Sequence, residues 1–314
     1  MAFLSLPQNL RERRLQPPAG KIRMVLDTDT YNEIDDQFAL VYALRSPEKL
    51  SVEAVYAAPF TNDRSTGPGD GMEKSYDEIS RLLDRLHLSP NGFAYRGSTV
   101  YLGSQPEESP AVLDLIERAL AAPEDDPLYV VAIGAITNVA SALMLEPEII
   151  RKIVVVWMGG HLHALPHTIE FNLMQDVPAA RVIFDSGVPF VQVPALGVAS
   201  HLLTTKAELF ESIAGRNHVC DFLYERFCEY SIDHFAWAKE IWDVAAVGWL
   251  INESWAPSRL VPSPRLLGEW QMDTGRGHLH FEPAPERHLI RELWSLQRNP
   301  IFRDLFIKLQ AIPA

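Results

Sequence analysis

The sequence predicts an α/β fold in which a mostly parallel, Rossmann-like central sheet is flanked by helices. Short apolar runs, each about the length of a buried strand, recur at 22–26, 52–58, 128–133, 153–158 and 188–193. Amphipathic stretches with apolar residues at helical spacing lie between them, at 72–86, 111–121, 139–145 and 177–185. Alternation of strand and helix is typical of a parallel sheet covered on both faces, in which ligands bind beyond the carboxyl ends of the strands.

The rest of the chain continues without a clear domain boundary. Residues 204–250 are predicted to be mainly helical, and residues 261–281 are rich in proline and glycine with hairpin-like fragments. The only convincing linker is Pro17-Pro18-Ala19-Gly20. We therefore expect a single domain over residues 21–314, preceded by a preface of residues 1–20 that the fold does not need.

The composition restricts the possible partners. The 314 residues are 47% hydrophobic and carry a formal net charge of −13, whereas a nucleic-acid-binding protein needs a surplus of Lys and Arg. Cys220 and Cys228 are the only cysteines, and in a helix they are too far apart to pair. No apolar run approaches the roughly 20 residues that span a bilayer. We expect a cytoplasmic protein that acts on a small molecule, with no nucleic-acid or membrane partner.

The most informative segment follows the first predicted strand. Asp27 and Asp29 end that strand, Glu33 lies in a short loop, and Asp35 and Asp36 open the next helix. Helix capping explains one or two of these groups, because the free N–H groups at a helix start attract carboxylates. It does not explain all of them, because crowded like charges raise one another's pKa values unless a cation neutralises them. Hard carboxylate oxygens suit calcium or magnesium, and calcium accepts the looser coordination shell.

The two adjacent aspartates are expected to play different roles. Asp35 and Asp36 point roughly 100° apart on a helix. One of them can therefore bind a metal ion while its neighbour faces a substrate hydroxyl.

This acidic segment resembles the N-terminal signature of the inosine/uridine-preferring nucleoside hydrolase family, in which paired aspartates follow an Asp-x-Asp at the end of the first strand. Later segments agree with the family in order and approximate spacing. They are Val131-Ala132-Ile133-Gly134-Ala135-Ile136-Thr137-Asn138, then Trp157-Met158-Gly159-Gly160 leading to Glu170-Phe171-Asn172, and finally Ile241-Trp242-Asp243. The resemblance implies a fold of the nucleoside hydrolase type and a homodimer or homotetramer. It also implies calcium-dependent hydrolysis of the N-glycosidic bond of a ribonucleoside or a related N-ribosyl compound.

The resemblance implies a set of metal ligands. Asp29 would bind the cation and activate the attacking water, and Asp36 and Asp243 would be further ligands. The backbone carbonyl of Ile133 would be the remaining protein ligand of the cation. Asp27 would hold the loop from a second layer, with helix capping as its alternative role. Calcium bound to the vicinal hydroxyls of a ribose would fix the sugar beside the water.

The resemblance also implies the residues that contact the sugar. Asp35 would accept a hydrogen bond from a ribose hydroxyl, and Glu170 and Asn172 would hold the other end of the sugar. From the residues alone, a solvated loop is the favoured interpretation of Glu170 and Asn172. Asn62 would also face the sugar. Carboxylates around the ring would stabilise the positive charge that develops as the base departs.

The chain departs from the family at two places. Many members have His immediately before the last metal-binding Asp, but this chain has Trp242, whose indole cannot supply a titratable proton. The loop after Met-Gly-Gly lacks a clear counterpart of the usual asparagine and carries His161, His163 and His167 instead. A zinc site is not expected in a loop without a cysteine partner. We expect these histidines to border the pocket, with His163 and Trp242 contacting substrate.

Two other interpretations compete with this one. The stretch Asp27-Thr28-Asp29-Thr30 also fits a haloacid-dehalogenase-type phosphatase, although that reading gives no reason for Asp35-Asp36. The presence of Trp242 allows a calcium-dependent nucleoside or sugar binder without efficient turnover. Phosphate release would support the first of these, and tight binding without cleavage would support the second.

Overall fold

The fold is built on an eight-stranded sheet. The computed structural model describes residues 3–103 and 105–313. The strands are β1 (Ile22–Thr28), β2 (Leu50–Ala57), β3 (Ala94–Arg96), β4 (Leu128–Ala132), β5 (Ile153–Met158), β6 (Phe190–Val193), β7 (Leu203–Thr204), β8 (Lys239–Glu240), β9 (Ser258–Pro262), β10 (Arg265–Gln271), β11 (Arg276–Glu282) and β12 (Leu289–Leu293). The order in the main sheet is β3-β2-β1-β4-β5-β6-β12-β9, and only β9 pairs antiparallel to its neighbour. The predicted mostly parallel sheet is confirmed.

Helices cover both faces of this sheet. They are α1 (Gln8–Arg14), α2 (Asp35–Leu44), α3 (Pro68–Arg85), α4 (Pro110–Ala121), α5 (Thr137–Leu145), α6 (Phe171–Gln175), α7 (Val177–Ser186), α8 (Lys206–Ser212), α9 (His218–Tyr230), α10 (Val244–Ile251) and α11 (Arg298–Gln310). Side chains of a strand alternate between the two faces. Met24 and Leu26 accordingly belong to one apolar core and Val25 to the other. A strand that buries both faces reads as a continuous apolar run, which is the pattern seen in the sequence.

The strand order creates a crevice at the carboxyl end of β1. The chain moves from β1 to β2 and β3 on one side, and then continues from β4 to β6 on the other. The loops that leave β1 and β4 therefore diverge, which is the topological switch point where ligands bind in such sheets. The Ile133 N–H donates to the Asp27 carbonyl at 2.8 Å, so these two predicted residues lie side by side there.

The later elements follow the predicted pattern. Helices α8, α9 and α10 occupy most of residues 206–251, and β10 and β11 form an antiparallel hairpin. Both cysteines lie on α9 and are unpaired. Within residues 3–103 and 105–313, no helix is long and apolar enough to cross a membrane.

The segment before β1 packs against the domain more closely than the sequence suggested. Leu6, Leu10 and Leu15 are buried, and the first two join the core that contains Val25. The buried Arg14 side chain donates to the Glu124 carbonyl, and the Arg291 side chain donates to the Leu15 carbonyl. These contacts argue against the expectation that residues 1–20 are dispensable.

We therefore expect a chain that starts at Lys21 to unfold at a lower temperature than the full chain. Each buried leucine contributes about 2 kcal/mol of transfer free energy that truncation removes. Thermal unfolding followed by circular dichroism measures the effect, and Gln8→Ala, at an exposed position of the same helix, serves as the control. An unchanged midpoint after truncation would restore the original expectation.

Candidate active site

A cavity of about 370 Å³ opens at the carboxyl edge of the sheet, beside the switch point. This volume is within the range of small-molecule sites. Its lining comes from the loops that follow β1, β4, β5 and β6 and from the start of α10. The lining residues are Asn32, Glu33, Asp35, Ile133, Met158, His161, His167, Ile169, Glu170, Phe171, Asn172, Ala195, Leu196, Trp242 and Asp243. Segments that are distant in the sequence thus meet at one place, as predicted for a parallel sheet.

Three buried aspartates meet at this cavity, of which Asp35 and Asp243 line it. Asp35, Asp36 and Asp243 each offer a carboxylate oxygen, and these oxygens lie within 4.8 Å of one another. Asp35 and Asp36 open α2, while Asp243 precedes α10, and all three are at most 3% exposed. Neither helix start shows a side-chain capping bond, and the N-cap of α2 is the apolar Ile34. Helix capping therefore does not explain the cluster.

Asp29 is fully buried next to this cluster. Both of its carboxylate oxygens lack a hydrogen-bond partner among the described residues. Gly134 lies against it, since a Cβ atom placed there would be 3.0 Å from the Asp29 Cγ. Leaving a buried carboxylate unpaired costs several kcal/mol unless it is neutralised. The position of Asp29 thus requires either a proton or a cation.

Burial and mutual repulsion dominate the electrostatics. Burial, followed by repulsion from neighbouring aspartates, raises the pKa values of Asp29, Asp36 and Asp243 well above the usual range. Asp35 differs, because burial raises its pKa only to about 6 and the ammonium of Lys239 opposes the rise. Lys239 is itself buried and pairs with Glu33 at 2.6 Å. Among the described residues, Asp35 is therefore the aspartate of the group with a protein counter-charge.

The donor set fits a hard divalent cation. It offers buried carboxylate oxygens, some without partners, and the Ile133 carbonyl in the cavity wall. Oxygen donors of this kind suit calcium or magnesium. The structure thus contains a possible acidic metal site where the sequence predicted one.

Glu170 and Asn172 lie in the cavity wall and do not form a solvated loop. Glu170 precedes α6 and accepts hydrogen bonds from the N–H groups of Gly160, Asn172 and Leu173 at 2.8–3.0 Å. Burial nevertheless raises its pKa to about 7. The Asn172 side chain donates to the carbonyls of Ile133 at 3.2 Å and Met158 at 2.9 Å. Each carbonyl has a second lone pair, so this contact leaves Ile133 able to accept another partner.

Asp27 lies behind the cavity, consistent with the supporting role expected for it. Its carboxylate accepts a hydrogen bond from the Asn138 amide at 2.8 Å, and burial raises its pKa to about 7. Asn138 also donates to the Ala57 carbonyl and accepts from the Ser98 N–H. This asparagine joins the ends of three strands, a role that its place in the motif did not predict.

Asn62 does not line the cavity. Its amide donates to the Asn32 Oδ1 at 2.8 Å and accepts from the Arg64 N–H at 2.8 Å, so both ends are occupied within the protein. Asn32, which the sequence did not single out, lines the cavity instead. In the structure Asn62 holds Asn32, and its expected sugar contact stays a prediction.

His163 is not among the residues that line the cavity, whereas His161 and His167 do line it. The His163 Nε2 lies 2.7 Å from the Gln192 Oε1, and its backbone N–H donates to the fully buried Glu292 at 3.1 Å. Its ring packs edge-on against Phe281. His163 therefore anchors the loop to β6 and β12 and turns away from the cavity.

Trp242 lies in the wall beside Asp243, as expected. Its indole is partly exposed, and the Lys239 Nζ lies 5.7 Å from the ring centre. Sequence reasoning missed Lys239, although a lysine four residues before Asp243 in an otherwise acidic site was a usable signal. It also missed the apolar wall residues Ala195 and Leu196, which lie in no motif, and it assigned no role to Met158 beyond its place in the Met-Gly-Gly segment.

The fold and this site together define an α/β protein with an acidic small-molecule site at the switch point of its sheet. Comparison with known proteins then gives the family. The model of the inosine-uridine preferring nucleoside hydrolase family matches residues 24–282. The non-specific ribonucleoside hydrolase RihC of Escherichia fergusonii is 31% identical over 74% of this chain and 80% of its own. RihC of Salmonella schwarzengrund is 26% identical over the same shares.

Solved structures agree on the fold. A protein described as an inosine-guanosine nucleoside hydrolase superposes with a TM-score of 0.72 at 18% identity, covering 93% of this chain and 99% of that one. A plant nucleoside hydrolase superposes with a TM-score of 0.71 at 18% identity, covering 94% and 100%. The chain belongs to the inosine-uridine preferring nucleoside hydrolase family. It is thus an N-ribosyl hydrolase by family, as the sequence predicted, and the match leaves the phosphatase interpretation without support.

Proposed function

We propose that this chain is a calcium-dependent enzyme that hydrolyses the N-glycosidic bond of a ribonucleoside to give ribose and free base. One observation carries the proposal: the buried Asp29 carboxylate has no hydrogen-bond partner among the described residues and lies close enough to Asp36 and Asp35 for their charges to raise its pKa. Asp35 and Asp36 form a group with Asp243, and Asp35 and Asp243 line the cavity. The names of the relatives, which are ribonucleoside hydrolases, support the choice of substrate class. They do not select a base.

Calcium would be held by Asp29, Asp36, Asp243 and the Ile133 carbonyl. When bound, it supplies a positive charge that fixes the vicinal hydroxyls of the ribose and neutralises the crowded carboxylates. Asp35 is a poorer ligand candidate, because Lys239 already provides its counter-charge. We assign Asp35 instead as the acceptor of a hydrogen bond from a ribose hydroxyl.

Asp29 then acts as the general base. No group of the described residues donates a hydrogen bond to its oxygens, which can therefore accept a proton from the attacking water. Glu170 and Asn172 border the far end of the sugar, and the negative cavity stabilises the oxocarbenium ion that forms as the base departs. Trp242 stands where a base can stack on its indole, and the indole has no acidic proton to donate.

The proposal is tested by incubating the protein with inosine, uridine, adenosine and cytidine in the presence of calcium and measuring free ribose and free base. We expect cleavage of at least one of them. The matching 2′-deoxynucleoside should react much more slowly, because it lacks one of the hydroxyls bound by calcium and by Asp35. Equal rates for the two sugars would contradict the assigned sugar orientation.

The leaving group gives a second readout within the same experiment. A nitrophenyl riboside releases a stable anion and needs no proton donor, so it should be hydrolysed well despite Trp242. If that riboside and all ribonucleosides stay intact while calorimetry detects their binding, the chain is a binder without turnover. A homodimer or homotetramer and a cytoplasmic location remain predictions from the sequence.

A further inference from the structure

The cavity contains a histidine pair that the proposed reaction does not use. His161 and His167 both line it, and their ring centroids lie 5.5 Å apart with the rings edge to face. The His161 Nδ1 accepts from the Leu196 N–H at 3.4 Å. Burial, reinforced by His167, lowers the pKa of His161 to about 4, so His161 is neutral at physiological pH. His161 is thus a fixed, uncharged wall against which His167 packs.

His167 has one nitrogen available to a ligand. Its Nδ1 is buried and has no hydrogen-bond partner among the described residues, whereas its Nε2 is not enclosed in this way. A neutral imidazole carries a single ring proton. Because an orphaned buried N–H is disfavoured more strongly than an unused acceptor, the proton resides on Nε2. The accessible nitrogen of His167 is therefore a donor that requires an acceptor oxygen.

Backbone contacts place this donor at one end of the cavity. The Gly160 N–H donates to Glu170 at 2.8 Å, and the His161 N–H donates to the Thr168 Oγ1 at 2.9 Å. The Thr168 N–H in turn donates to the Leu279 carbonyl of β11 at 2.7 Å. The histidine loop is therefore fastened to the Glu170 end of the cavity. The aspartate group and Trp242 approach from β1, α2 and the start of α10.

We propose that His167 is a sugar-binding residue whose Nε2–H donates a hydrogen bond to the 5′-hydroxyl oxygen of the nucleoside. This inference rests on the proposed function, because that function sets the orientation of the sugar. A ribose whose 2′- and 3′-hydroxyls face the aspartates directs its C5′ towards Glu170 and the histidine loop. The acidic neighbours Glu170 and Glu33 line the same cavity and disfavour a 5′-phosphate in that place.

The test compares inosine with 5′-deoxyinosine, and uridine with 5′-deoxyuridine, in the parent and in His167→Ala. We expect His167→Ala to lower kcat/KM by about 10-fold for the hydroxylated member of a pair. It should change kcat/KM by less than about 2-fold for the 5′-deoxy member, which has no oxygen to accept the bond. His167→Gln, whose amide places an N–H near the position of Nε2, should restore most of the activity. His278→Ala, at an exposed position on β11, is the matched control.

Each outcome decides the inference. An equal loss for both members of a pair would show that His167 only supports the fold, and no loss for either would show that it does not touch the sugar. If the enzyme prefers inosine 5′-monophosphate to inosine, the ligand of His167 is a phosphate and not the 5′-hydroxyl. If the parent cleaves nothing, the proposed function fails separately, and calorimetric titration of inosine and 5′-deoxyinosine into the parent and His167→Ala still tests the contact.

Discussion

Asp29→Asn should abolish turnover while the chain stays folded. The amide has nearly the shape of the carboxylate, so it fits beside Gly134, where an added Cβ atom would lie 3.0 Å from the Asp29 Cγ. It cannot take a proton from water, and it carries no charge to bind a cation. Loss of a general base alone costs a factor of about 100 to 10,000, so we expect kcat to fall at least about 1000-fold once the weaker cation binding is added.

In the absence of calcium, the same substitution should not lower the stability of the fold. The Asp29 carboxylate is buried without a hydrogen-bond partner in residues 3–103 and 105–313, and repulsion from Asp36 and Asp35 adds to its burial in raising its pKa. Removing its charge should leave the calcium-free variant at least as stable as the calcium-free parent.

Initial rates with saturating calcium and denaturation curves in a chelator measure these two effects on Asp29→Asn. Asp63→Asn, the same change at an exposed position, is the control. A variant that keeps more than a tenth of the parent's kcat would remove Asp29 from the role of base.

The sequence predicts the position of site residues well where they lie close together in the chain. Asp29, Asp35 and Asp36 follow a strand within a few residues, so the strand's direction already places them at one edge of the sheet. Asp243 comes from a helix start more than two hundred residues away, and only the resemblance to the family linked it to the others. The structure brings it within reach of Asp35 and Asp36.

The sequence does not predict the direction of a side chain where long-range contacts decide it. Nothing local tells which member of the hydrogen-bonded pair Asn32 and Asn62 faces the cavity. The loop after β5 has no regular period, and Gly160 leaves the strand with a φ of +71°. His163 is then held by Glu292, which lies far along the chain.

The short helix α1 shows the same limit at the chain's start. Seven residues carry too little periodicity to predict a helix that packs on the core. The burial of Leu6 and Leu10 depends on the partner surface, which no pattern within the segment reveals.

Calcium should raise the unfolding temperature of the parent, and Asp243→Ala should remove most of that effect. A ligand that binds only the folded state at 100 times its dissociation constant stabilises it by about 2.7 kcal/mol. In this chain it would also neutralise Asp29, Asp36 and Asp243, whose pKa values are raised by burial and then by mutual repulsion. Asp243 approaches from a different element than the other aspartates, so its loss leaves that side of the cation without a protein ligand. Calorimetry should show at least about 10-fold weaker calcium binding for this variant and for Asp36→Ala.

Asp35→Asn distinguishes the two possible ligand sets. By distance, Asp35 belongs with Asp36 and Asp243 as a possible calcium ligand. By charge, Asp29 is the better ligand than Asp35. Lys239 already compensates Asp35, whereas both Asp29 oxygens lack a partner among the described residues. If charge determines which aspartates bind calcium, Asp35→Asn should bind calcium within a few-fold of the parent but bind ribose more weakly. Asp29→Asn should then bind calcium poorly. Equal loss of calcium binding in Asp35→Asn and Asp243→Ala would instead make Asp35 a ligand. The acceptor for the ribose hydroxyl would then have to be sought among the remaining polar groups of the wall, of which Glu33 and Asn32 are the nearest in sequence.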